Sequence, residues 1–255
     1  MEILGPDFRA GLRHALYRPA QPAGLWLGLA IFLALLLANQ IILQPAIAIG
    51  ILAVTGGDQS AFLRGALLSV LPAGLITAWL AWILARRRGA DPRDVLALRT
   101  PALGGLGWAI VVGGFVIGLY ALFGIAAWLA GFDIESSGLV EQAVMKLNND
   151  PLYFLIAGGL MIGAPLAEEM TFRGQIFATL SQSRIGVPGA SVMTAATWAA
   201  IHGATQPLHI VGLLFLMGLA LAFLLVRFGS LWVTIACHAV WNGIQALALY
   251  AMAPQ

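Results

Sequence analysis

Residues 160–177 read LMIGAPLAEEMTFRGQIF, an apolar run that carries Glu168, Glu169 and Arg173 where a membrane-spanning helix normally admits no charge. A charged side chain at mid-bilayer costs roughly 2.5–3.5 kcal/mol even on the mildest scale, so such residues usually face a polar cavity and serve a function. Further apolar runs downstream contain His202, then His238 with Asn242. We read these residues as one active site inside a membrane protein.

The composition around that stretch agrees on the solvent. The 255 residues are 60% hydrophobic and only 9% charged, too little polar surface to cover a water-soluble globule of that size. The expected fold is all-α, a multi-pass transmembrane helical bundle. A crossing needs about 20 residues. Charge-free windows place crossings within 19–57, 65–85 and 100–132, a fourth from Pro151, then 187–202, 208–226 and 231–252. That makes seven spans, or eight if the short segment 174–185 dips into the bilayer. In the first run Asn39, Gln40, Gln44 and Pro45 mark a kink or an exit from the core.

Two shorter segments frame the spans. Asp133, Glu135, Glu141, Lys146 and Asp150 form a polar stretch that reads as an interfacial helix plus loop. Phe8, Leu12 and Ala15 share a helical face beside Arg9, Arg13 and Arg18, which predicts a short helix at the headgroups. The apolar run that follows is too long for a signal-peptide core, so it is expected to stay as an anchor. Residues 1–150 are thus expected to hold the interfacial helix and the first three spans, and 151–255 the catalytic membrane core.

Charge sets the orientation. With the N-terminus cytoplasmic, Arg9, Arg13, Arg18, Arg86, Arg87, Arg88, Arg93, Arg99, Arg173, Arg184 and Arg227 lie inside, 11 of the 13 basic residues. Only Arg64 and Lys146 fall outside. The positive-inside rule therefore predicts a cell-membrane protein with a cytoplasmic N-terminus.

The chemistry follows from spacing. Glu169 and Arg173 are four apart with the acid first, the favourable order for a helical ion pair, while Glu168 points about 100° away. Arg173 can neutralise Glu169 and leave Glu168 free. A carboxylate held in an apolar pocket beside Pro165, Gly158, Gly159 and Gly163 suits a general base on water. His202 ends the run Thr197-Trp198-Ala199-Ala200-Ile201, and its imidazole near a carboxylate can orient or share the proton of that water. His238 and Asn242, also four apart, can donate two hydrogen bonds to one oxygen, as an oxyanion hole requires.

Other chemistries fit less well. Cys237 adjoins His238, but residues one apart on a helix diverge by about 100°, which does not suit a nucleophile–base pair. Two carboxylates and two histidines are compatible with a divalent metal such as zinc, although no His-Glu-x-x-His helix or cysteine pair implies one.

The ordered set Glu168-Glu169-x-x-x-Arg173, Trp198-x-x-x-His202 and His238-x-x-x-Asn242 resembles the CAAX prenyl protease and bacteriocin-processing (CPBP, or Abi) intramembrane proteases over about residues 150–245. Thr171-Phe172-Arg173-Gly174 and Gly229-Ser230-Leu231-Trp232 also look like that family, whereas Trp198 stands where it usually has phenylalanine. The resemblance implies that Glu168 acts with His202 on water and that His238 and Asn242 form the oxyanion hole. It implies an intramembrane endopeptidase acting on a membrane-proximal, possibly lipid-modified peptide or protein. The expected partners are membrane lipid and that substrate, with no nucleic acid. Two other classes fit the same residues: a non-proteolytic, immunity-type membrane partner, and an ion or proton transporter using Glu168 and the histidines as a relay.

Overall fold

The computed structural model describes residues 3–18, 23–55, 57, 59–87, 91–131 and 138–252. Arg88, Asp133 and Glu135 lie outside the described residues. Every regular element among the described residues is helical. A short amphipathic helix α1, Pro6–Arg13, precedes two long apolar helices, α2 Leu25–Thr55 and α3 Ala61–Arg86. The single turn α4, Pro92–Val95, leads to α5, Gly105–Ala130. After α6, Leu139–Lys146, come α7 Tyr153–Ser181, α8 Gly186–His202, α9 Leu208–Phe228 and α10 Leu231–Met252.

Six of these helices, α2, α3, α5, α7, α9 and α10, are long and apolar enough to cross a membrane. The seventh expected crossing is α8, whose 17 residues make it slightly shorter than these six. Large side chains such as Trp26, Ile117, Trp128 and Phe223 are exposed on the outside of the bundle, as they are where lipid replaces water.

Two expectations about continuity are corrected. The segment 174–185 is no separate loop or dip, because α7 runs on to Ser181. Its polar residues are accommodated inside protein, with the Thr179 and Ser181 hydroxyls donating to the carbonyls of Gln175 and Ala178. Glu168 consequently stands near the midpoint of α7. Likewise the first run does not leave the core at Asn39–Gln44, and of the two alternatives expected there the local distortion of the helix is the one that fits. It passes through a π-helical stretch, Ala38–Leu43, and continues. Pro45 explains the adjustment, since it has no N–H to return to the preceding turn.

The same device occurs in α7, where the π-helical stretch Gly159–Gly163 precedes Pro165. Here α3 crosses at backbone contact. A β-carbon built on Gly74 would lie 2.2 Å from the Gly163 carbonyl oxygen, so neither position has room for a side chain. A third π-helical stretch, Glu169–Ile176, carries Glu169 and Arg173.

Side-chain and backbone ties gather the loops at two ends. At one end α1 and the 91–99 loop meet the turn between α9 and α10. Leu16 N–H donates to Val226, Leu231 N–H to Ala97, and Arg99 caps α9 through the Gly229 and Phe228 carbonyls. On α1, Phe8 and Gly11 are buried against Phe228, whereas Leu12 is exposed. At the other end Arg64 pairs with Asp150 at 2.5 Å, and Gln206 donates to Glu141.

Candidate active site

The site is built where α7, α8 and α10 meet. Glu168 and Glu169 are consecutive on α7 and diverge as helical neighbours do. Glu169 turns into the protein and is fully buried. Its Oε1 accepts from Arg173 Nη1 at 2.9 Å and faces His238 Nδ1 at 3.0 Å. Arg173, also fully buried, reaches the Gly218 carbonyl and lies over the Trp198 ring, 4.9 Å from its centroid. A buried charge needs such a partner, and here two carboxylate-facing donors surround one acidic group.

Glu168 takes the other direction. Its side chain is 19% exposed, and its Oε2 accepts the Trp198 indole N–H at 2.6 Å. His238 Nε2 is 3.9 Å from the same oxygen. Because the Glu169 carboxylate only accepts, His238 Nδ1 carries the proton, which directs Nε2 toward Glu168. The two acids therefore lie on the two nitrogens of one imidazole.

Glu168 lines a small, open and mostly apolar cleft, together with Leu35, Asn39, Gln40, Thr77 and Thr171. On the side of α2 and α3 a few polar groups stand among leucines. Asn39 donates to Thr77 Oγ1 at 2.8 Å and accepts from Gln44 Nε2 at 2.7 Å. The sequence marks these amides but assigns them to a kink, since their partner Thr77 comes from another helix.

The remaining residues are placed less directly. His202 is stacked edge-on against Trp198, and its Nδ1 donates to the Trp198 carbonyl at 2.7 Å. No hydrogen bond or ion pair joins it to Glu168 among the described residues; Trp198 lies between them. Asn242 Nδ2 donates to the Leu160 carbonyl at 2.9 Å. That carbonyl belongs to the turn that Pro165 deprives of a donor, so the amide caps the π-helical stretch with one N–H and keeps its second. Trp198, quoted only as a motif position, is the one donor to Glu168 that spacing does not reveal.

Cys237 is fully buried in the cluster of Val233, Trp241 and Phe172 and serves packing. Among the described residues, no three His, Cys, Asp or Glu side chains gather as a metal site.

Residues 149–244 match the family model described as type II CAAX prenyl endopeptidase Rce1-like, which is the CPBP family. The matched segment contains Glu168, Glu169, Arg173, Trp198, His202, His238 and Asn242, and leaves α2 and α3 outside it. No curated protein and no solved structure matches the chain.

Proposed function

Taking residues 149–244 as a domain of the CPBP, CAAX-protease type, we propose that this protein is an intramembrane endopeptidase that hydrolyses a peptide bond with a water activated by Glu168. One observation carries the reading. Of two adjacent carboxylates, Glu169 is locked by Arg173 and His238, whereas Glu168 lines the cleft with one oxygen that has no partner among the described residues.

In this mechanism Glu168 takes a proton from water as the oxygen attacks the scissile carbonyl. Trp198 Nε1 holds the other carboxylate oxygen in place. The carbonyl oxygen gains negative charge and is met by the second N–H of Asn242 and by Nε2 of His238, which donates once that ring is protonated. Glu169 steadies such a cation through Nδ1, as a buried acid does for histidine elsewhere. The proton that Glu168 took from water then passes to the leaving amine, with the unspent Nε2 of His202 as the assigned acceptor and relay, so that Glu168 returns to its carboxylate form.

The substrate is a membrane-proximal peptide or protein segment, which a lipid group would tether to the bilayer. The arginine distribution supports a reading in which the N-terminus and Arg93 and Arg99 face the cytoplasm. The test is reconstitution: purified protein in liposomes, given a membrane-tethered peptide, should generate new N-termini readable by mass spectrometry. Peptide binding with no cleavage would favour the partner reading, and a proton flux without cleavage the transporter.

A further inference from the structure

We propose that Gln40 grips the backbone of the peptide substrate beside Glu168, so that α2, outside the matched segment 149–244, supplies one edge of the substrate cleft. This rests on the peptidase reading and adds a binding residue to it. Gln40 stands near the middle of Leu25–Thr55 and lines the cleft that Glu168 lines. It is exposed, and its carboxamide has no hydrogen-bond partner among the described residues.

The neighbouring amides are different. Asn39, Gln44 and Thr77 satisfy one another in a closed network, and Asn39 also reaches the Ala73 carbonyl. An unpaired amide midway along a spanning helix is costly against lipid, so a ligand that meets its hydrogen bonds in the cleft is favoured there. The backbone adds a second feature. Gln44 N–H bonds to the Asn39 carbonyl, and Pro45 has no N–H, so the Gln40–Ile41 turn is left with a carbonyl that lacks its helical donor. In α7 the equivalent carbonyl, that of Leu160, is capped by Asn242. In α2 the described residues provide no such side-chain cap.

One turn therefore offers an amide that donates and accepts, plus a spare backbone acceptor. A peptide unit presents one N–H and one C=O, the complement of that pair. Hydrocarbon has neither, so the turn selects the peptide portion of a substrate rather than a lipid portion.

The experiment measures binding and cleavage separately, using the full-length protein in nanodiscs and a fluorescein-labelled library of uncharged decapeptides. Binding is read by anisotropy on a Glu168→Gln background, with Gln40→Ala added, and Leu33→Ala on the lipid-facing side as control. Gln40→Ala should weaken binding about five- to tenfold, and in the active protein raise KM by a similar factor with kcat nearly unchanged. Binding by Gln40→Ala within about twofold of its parent, or a defect confined to kcat, overturns the proposal. If the library is bound in a Gln40-dependent way but never cleaved by the wild type, the cleft assignment stands and the peptidase reading falls. A library neither bound nor cleaved overturns both.

Discussion

Trp198 Nε1 donates to Glu168 Oε2 at 2.6 Å, linking the last turns of α8 to the middle of α7. Trp198 is almost fully buried, with His202 and His238 edge-on to it and Arg173 over its face. The ring therefore fixes which Glu168 oxygen is occupied and which faces the cleft. Trp198→Phe keeps most of the packing and removes the donor. Steady-state kinetics should show kcat lower by about ten- to a hundredfold with KM little changed. An unaltered kcat would show that Glu168 needs no such tether.

The ion pair between Arg173 and Glu169 is fully buried on both sides. Breaking it strands a charge, which typically costs about 3–5 kcal/mol. Arg173→Met should therefore lower unfolding free energy in detergent by that order. The double variant Arg173→Met/Glu169→Leu should recover much of it, because no unpaired charge remains.

Asn242 has two tasks, one N–H on Leu160 and one available to the substrate. Asn242→Ala should cost about 1 kcal/mol of stability through the lost cap. It should also lower turnover of the folded protein by roughly 10²–10³-fold, as loss of an oxyanion donor does. Asn242→Asp should be no better, since an acceptor faces both the carbonyl and Glu168. Full turnover per folded molecule would confine Asn242 to capping.

Orientation is tested with single cysteines in a Cys237→Ala background, which should remain active because Cys237 serves packing. Arg93→Cys, at an exposed position of the 91–99 loop, should react on intact cells only with membrane-permeant thiol reagents. Leu139→Cys, exposed at the opposite end, should react with impermeant ones. The reverse pattern would invert the orientation.

Span positions were legible in the sequence because hydrophobicity acts locally, and the Glu169–Arg173 pair because helical spacing places it on one face. The end of α7 was not. Gln175, Thr179 and Ser181 lower the local hydropathy, yet they are buried against other helices, a fact that depends on packing. The same reason hid Trp198 as the donor to Glu168 and Leu160 as the partner of Asn242, contacts that join residues far apart in the chain. Pro45 and Pro165 were visible as helix breakers. Their effect here, π-helical stretches in otherwise continuous helices, follows from neighbours that support the freed backbone.

The most direct measurement of the central claim is the hydrolysis rate of one membrane-tethered peptide by reconstituted Glu168→Gln protein, normalised to folded protein. Glutamine keeps the shape and can still accept from Trp198, but cannot take a proton from water. The account expects turnover at least about 10²–10⁴-fold below wild type, with unfolding temperature and peptide binding preserved. Turnover within about tenfold of wild type, with the same fold and affinity, would contradict Glu168 as the base.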